Sequence, residues 1–560
     1  MKLYKLLACA LPTALAFSSC VDLEYSEENS RDEKWTYEYF GDGIKGLVWG
    51  VYAQIYNNEF ENNSAYFFAG ATDEAQYALE NGAINNYVNG GWSIANPYSN
   101  IWTKSYTAIS DIHTYLEKID QADISEWEHN SSYDIWKQQL DNFPYELRFL
   151  RAYFYFELFK AYGDVPLVTT TLTNGQANNV TRTSADSIVN FIVTELDAVA
   201  PYLPITYTTE VGAEIGRATR GAAYALKART LLYAASPLFN PSNDKAKWGE
   251  AAEAAKYVID NAKEWGLKLS DYASLWGHDA FFNKEIIFGI GRVENNDFEK
   301  ANYPIGVENG ASGNCPSQSL VDQYEYQNNG ETFGKRNPGP VDLKTDPYVG
   351  LDPRFELTIV KNGDTWPTNG AQKKTIETFV GGFNAAPKYG ATPTGYYLRK
   401  YVDGSCVTTA DNQTVKRHTW IVMRLAEMYL DFAEAAFYAA GKDANDATYG
   451  MSANDAVNVL RTRADINMPK FTETGDAWVE RYERERLVEF AFEDQRFWDV
   501  RRWKKGSTYF KSVTAASINA DLILTREVHT RTWDEKYNLF PIPQSEIQRN
   551  SKLEQNPGWQ

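Results

Sequence analysis

The stretch from Glu480 to Trp503, ERYERERLVEFAFEDQRFWDVRRW, limits the architectures open to this chain more than any other. Neither Pro nor Gly interrupts it, and Glu, Arg and Leu favour helix, so it predicts one helix of about six turns. At about 100° per residue, Tyr482, Glu485, Glu489, Phe492, Glu493, Arg496, Val500 and Trp503 share a face. Leu487, Phe490, Ala491 and Phe497 lie on the other sides among Arg484, Arg501 and Arg502. A surface helix keeps one polar side, and this one has none. It is expected to run through the interior with its carboxylates and guanidiniums paired, because an unpartnered buried charge costs several kcal/mol.

Glu485, Glu489 and Glu493 admit two readings. As a catalytic row they suit glycoside hydrolysis, which needs two carboxyls roughly 5 to 10 Å apart, a separation that i,i+4 spacing supplies. As structure they form an ion-pair network with Arg486, Arg496 and other segments, where nearby cations lower a carboxyl pKa rather than raise it.

The N-terminus is a targeting segment. Lys2 and Lys5 precede an apolar run from Leu6 to Phe17, which is too short to span a bilayer. Ser18, Ser19 and Cys20 follow. The pattern resembles a bacterial lipoprotein signal, with residues 1–19 removed and Cys20 lipidated; an ordinary secretory signal with an incidental Cys is the alternative. Residues 20–31 are acidic and read as a tether. The net charge of −19 argues against a nucleic-acid partner, which needs clustered Lys and Arg. No apolar run after the leader is long enough to cross a membrane.

The 560 residues suffice for one large helical unit or for two to three ordinary domains. Helical periodicity recurs over Asp32–Tyr56, Asn100–Lys118, Ser132–Tyr162 (with a possible kink near Pro144), Ser184–Tyr202, Ala218–Ala235, Trp248–Trp265, Thr419–Ala440 and Ala453–Ala464. Short turns join most of these segments. The expected fold is mainly α, a scaffold of helical hairpins like tetratricopeptide repeats but without their strict 34-residue period. Residues 32–280 form its N-terminal part and 418–560 its C-terminal part and tail. Residues 281–417 are rich in Gly, Asn and Pro, with short β-prone pieces at Glu285–Gly289 and Glu377–Val380. They read as a loop-rich insertion, and long structured loops on rigid scaffolds often carry function.

Several stretches together resemble one family. They are ELRFLRAYFYFELFKAYGDVPLV (Glu146–Val168), GRATRGAAYALKARTLLYAAS (Gly216–Ser236), ERLVEFAFEDQRFWDVRRW (Glu485–Trp503) and LFPIPQSEIQRNSKLEQNPGW (Leu539–Trp559). PSQSLVDQY, from Pro316 to Tyr324, is a further match. With the lipoprotein leader, they are similar to the SusD/RagB family of outer-membrane nutrient-uptake lipoproteins. The resemblance implies a surface-exposed lipoprotein on a TPR-like scaffold, partnered with a SusC-like TonB-dependent transporter. Such a protein captures glycans, or in some cases peptides, and delivers them uncleaved. No cofactor or metal is implied.

Nothing in the sequence competes strongly with binding. Walker A, HExxH and GxSxG patterns are absent. His113, His129, His278, His418 and His529 show no metal spacing, and Asp443, Asn445 and Asp446 lack the order of a calcium loop. The 16 Trp and 37 Tyr exceed a core's needs, and flat aromatic faces cover the apolar face of a pyranose. Aromatics in polar loops are therefore the binding candidates. Trp92, with Asn96 and Tyr98 nearby, lies where SusD-like glycan binders place an aromatic and an amide against sugar. Trp276, Tyr303 and Trp366 flank or enter the insertion. Each has an alternative role as a partly buried loop anchor. Cys315 and Cys406, the cysteines left after Cys9 is removed and Cys20 is modified, pair or stay free according to a separation that sequence does not give.

Overall fold

The computed structural model describes residues 33–55, 67–207, 214–277, 280–369 and 372–559. The leader, Cys20, the tether and His278 lie outside them. The chain is mainly helical, with a few short strands. Helices α1 (Glu33–Glu38) and α2 (Gly46–Tyr52) occupy the stretch expected to be one helix, with a π turn, Phe40–Lys45, between them. Gly43 sits in that turn because a Cβ there would lie 2.6 Å from the Thr36 carbonyl oxygen.

Helices α3 (Ile101–Lys118), α4 (Tyr133–Tyr162), α6 (Ala185–Val199), α7 (Arg220–Ala235) and α8 (Lys245–Asn261) build the scaffold, and a single turn of helix, α5 (Asn174–Ala177), lies between α4 and α6. Each long helix packs on the next. Ser184, Thr219 and Asp244 cap α6, α7 and α8 by accepting backbone N–H bonds. Helix α4 runs continuously through Pro144 and stops at Gly163, whose φ of 71° only glycine adopts readily. Most of its C-terminal half is buried. Gly221, Ala222, Ala223 and Ala225 are buried where α7 meets its neighbours.

The irregular middle contains β2 (Ile286–Gly291), α9 (Asp297–Asn302), β3 (Asn314–Pro316), α10 (Gln318–Val321), α11 (Phe333–Arg336), β4 (Val341–Asp342), α12 (Pro353–Thr358), β5 (Ile359–Val360) and β6 (Tyr397–Leu398). Strand β3 pairs with β1 (Ala75–Tyr77), and β5 with β6, both antiparallel. Glu377–Val380, expected to be β-prone, is irregular.

The chain then re-enters the scaffold through β7 (Thr419–Arg424) and α13 (Leu425–Ala439), which packs on α8. One helix was expected across both. The first six residues, TWIVMR, instead form a wholly buried strand paired with β2. A short apolar run fits a buried strand and a buried helix equally by periodicity, and its β-branched and aromatic residues settle it here. Helix α14 (Ala453–Arg461) packs on α13.

The stretch 480–503 is two helices, α15 (Gly475–Glu489) and α16 (Gln495–Arg502). Phe492 and Asp494 between them both have φ of 60°. Distant groups impose this break. The Glu489 carbonyl accepts from Arg424 (2.9 Å), the Phe492 N–H donates to Glu74 (3.0 Å), and the Asp494 carboxylate accepts from the Phe68 N–H (2.8 Å). After α17 (Gly506–Tyr509), a hairpin of β8 (Ser512–Ile518) and β9 (Ile523–Thr530) joins β4 in a three-stranded sheet, and α18 (Gln544–Arg549) precedes the tail. Cys315 and Cys406 are buried free thiols. Burial pushes them up to about 12 and about 11 respectively, so neither forms a thiolate readily.

Candidate functional site

The carboxylate row of α15 is enclosed and neutralised. Glu485 accepts from Arg354 (2.7 Å) and pairs with Arg461. Glu489 is held by Arg354 (2.7 Å), Arg424 (2.8 Å) and Arg463 (3.0 Å). Glu493 is held by Arg424 and Lys400, both at 2.8 Å. Burial pulls the Glu485 carboxyl upward, but the Arg354 and Arg461 guanidiniums outweigh it and hold the group at about 2. Glu489 lies further below the ordinary carboxylate range, against the same burial, through Arg463, Arg424 and Arg354. A glycosidase acid needs a raised pKa and access to substrate. Glu485 and Glu489 are shifted the other way and all three residues are buried, so the row is scaffold. It ties α15 to the insertion through Arg354 and Lys400, and to β7 through Arg424.

The predicted loop aromatics divide. Trp92 is 3% exposed. Its ring lies 4.8–5.2 Å, centroid to centroid, from those of Tyr87, Tyr537, Phe540 and Trp559, and its Nε1–H donates to the Pro97 carbonyl (3.0 Å). It pins the 87–98 loop to the C-terminal tail and leaves no ring face for a sugar. Tyr303 is also enclosed, with its hydroxyl on the Asp403 (2.7 Å) and Cys406 (2.9 Å) carbonyls. Trp366 is buried beneath the Arg399 guanidinium, 5.0 Å from the ring. These three rings are anchors because a large apolar face gains most when fully removed from water. Trp276 is half-buried, with Lys400 Nζ 4.0 Å from its ring. Asn96 is exposed and Tyr98 half-buried, the latter with φ of 54°.

Two aromatics that the sequence reading passed over stand at the surface instead. Tyr389 is 81% exposed and Phe383 46%. Both lie in VGGFNAAPKYGATP, a run without apolar periodicity, which was the available signal. The backbone at Phe383 is held, its N–H donating to Glu377 (2.9 Å). Asn384 accepts from the Glu377 N–H (3.1 Å) and donates to the Ile305 carbonyl (2.6 Å), and the Tyr397 hydroxyl donates to the Asn384 carbonyl (2.5 Å). Phe383 lies over Gly306, where a Cβ would stand 2.5 Å from its ring. A Cβ on Gly390 would be 3.7 Å from Leu79, so this loop abuts the segment that follows β1. Lys388 Nζ sits 3.8 Å from the Phe383 ring centroid. The arrangement is two exposed aromatics on one loop, with Lys388 against the Phe383 ring.

Comparison with known proteins gives the lineage. Residues 284–559 match the model of the SusD family, and residues 25–232 match a model described as "Starch-binding associating with outer membrane". The chain belongs to the SusD family. Among curated relatives, SusD-like protein P25 of Formosa agariphila is 23% identical over 81% of this chain and 78% of its own length. The starch-binding protein SusD of Bacteroides thetaiotaomicron is 24% identical over 74% and 72%. A SusD-like protein from Bacteroides fragilis superposes with a TM-score of 0.78 at 26% identity, covering 94% of this chain and 98% of that one. A laminarin-binding SusD-like protein shares the fold, with a TM-score of 0.63 at 21% identity over 95% of this chain and all of its own. Among the described residues, no helix is long and apolar enough to cross a membrane.

Proposed function

We propose that the protein is an outer-membrane lipoprotein, anchored through Cys20 and exposed at the cell surface. It binds oligosaccharides or polysaccharide without cleaving them and delivers them to a SusC-like TonB-dependent transporter. The observation that carries this reading is the open ring of Tyr389, on the same loop as Phe383 and following a stretch pinned through Asn384. An open aromatic face stacks on the apolar face of a pyranose. Asn96, Tyr98 and Trp276 are secondary contacts on this reading. Relatives described as starch-binding and laminarin-binding support a neutral glycan as the ligand class.

Isothermal calorimetry with starch and laminarin oligosaccharides, and with a peptide mixture, tests it. Sugar binding is expected, and Tyr389→Ala should weaken it about fivefold or more, because an aromatic stacking contact contributes about 1–3 kcal/mol. Binding of peptides alone would replace the glycan with a peptide cargo. Release of reducing ends from either glucan by the purified protein would sink the non-catalytic reading. Failure to co-purify with a SusC-like barrel expressed alongside it would remove the transporter.

A further inference from the structure

A cavity of about 570 Å³ opens between the outer side of α3, the segment 166–180 and the C-terminal helix α18. It lies within the ~300–1,000 Å³ range of small-ligand pockets. One wall is a hydroxyl stripe on α3, with Thr103, Thr107 and Ser110 at helical spacing. The facing wall carries Thr170, Asn174 and Asn178. Trp102 and Tyr106 supply an apolar side, and the Tyr106 hydroxyl is used on the Pro166 carbonyl (2.8 Å), so its ring is fixed. The C-terminal segment closes the third side, where the Asn550 amide donates to the Val180 carbonyl (2.8 Å).

His113 also lines this space. It is buried, and its Nε2 has no hydrogen-bond partner in the protein. Burial, reinforced by Arg151, pushes this imidazole down to about 4, so it is neutral at physiological pH. Arg549 on the wall is engaged by Glu546 (3.1 Å), and Asp111 is the remaining charge. An anionic ligand finds no free counter-charge here. Hydroxyls, amides and one fixed aromatic side match a polyhydroxylated neutral ring.

We infer that this cavity is a second carbohydrate site, taking one or two neutral pyranose units and separate from the exposed aromatic loop. The inference rests on the glycan reading for its ligand class but not for its place. Hydrogen exchange followed by mass spectrometry tests it, with maltose and laminaribiose in excess. Protection of residues 103–114 and 168–180 is expected with at least one disaccharide. Thr107→Trp, which fills the cavity from an exposed position and should leave the melting temperature unchanged, should abolish that protection, whereas Tyr389→Ala should not. Protection confined to residues 380–392 would overturn the second site and leave glycan binding intact. Protection at the cavity alone would uphold the second site and displace the loop as the primary one. Absence of protection at the cavity with both sugars overturns the inference, and calorimetry with the longer oligosaccharides then judges the glycan reading independently.

Discussion

The α15–α16 region and the 377–392 loop are both places where polar residues and aromatics mix, yet the fold uses them in opposite ways. In the first, Arg354, Arg424, Glu485 and Glu489 are almost wholly buried, and each charge faces two or more partners from distant segments. In the second, the hydrogen bonds are spent on the backbone, and the rings of Phe383 and Tyr389 are left to solvent. Partners drawn from far along the chain turn a charged stretch into core. Partners confined to the main chain leave side chains free to meet a ligand.

The sharpest way to break this contrast is Arg354→Ala. It would strand Asp352 in the interior and take one cation each from Glu485 and Glu489. The expected loss is ~3–5 kcal/mol, read from denaturant unfolding, because an uncompensated buried charge remains. An unchanged unfolding midpoint would mean that the network is solvated. Trp92→Ala should cost a comparable ~3–5 kcal/mol through its cavity among Tyr87, Phe540 and Trp559. If it abolished sugar binding with stability intact, Trp92 would return as a ligand platform.

Acid titrates the same contrast. Unfolded, Glu485 ionises near 4.5, and folded near 2. Below about pH 4.5 the unfolded chain takes up a proton that the folded chain refuses, so stability present above that pH declines and is lost as the pH falls through about 2. His113 adds to the fall, since its folded value of about 4 lies below the ordinary 6.5 and the unfolded chain protonates first. Above pH 4.5 the buried Glu74 carboxyl, pushed up to about 8, opposes His113, so the Glu485 effect is read below it: melting temperatures should decrease from pH 4.5 to 3, and a flat profile there would contradict the pairing. The smallest effect belongs to Tyr389→Ala, whose stability should stay within about 0.5 kcal/mol of the parent by denaturant unfolding. A larger loss would make the loop part of the core.

Much of the scaffold was legible. Apolar periodicity marked α3, α4, α6 and α7 within a few residues, and Gly163 with Pro166 marked the end of α4, because those signals are local. Pairing of Glu485 and Glu489 was also legible, since the arginine density around them left no cheaper state. Three features were not. Thr419–Arg424 became a strand through pairing with β2. The helix expected across 480–503 broke because Glu74, Arg424 and Phe68 bond its turn, though no local residue demands it. Trp92 reads as a polar-loop aromatic until the tail from Tyr537 to Trp559 closes over it.

By itself, then, the sequence determined a helical array, a loop-rich middle, the membership of a family and the need to neutralise a charged interior. Those follow from residue spacing, caps, glycines and the cost of burying charge, which act over a few turns of chain. Only the tertiary structure decided which carboxylate meets which guanidinium, which loop aromatics are anchors and which face water, and that α3, the 166–180 segment and α18 frame an open, hydroxyl-lined cavity. Each of these depends on groups hundreds of residues apart arriving at one place, and no local preference of the chain encodes that meeting.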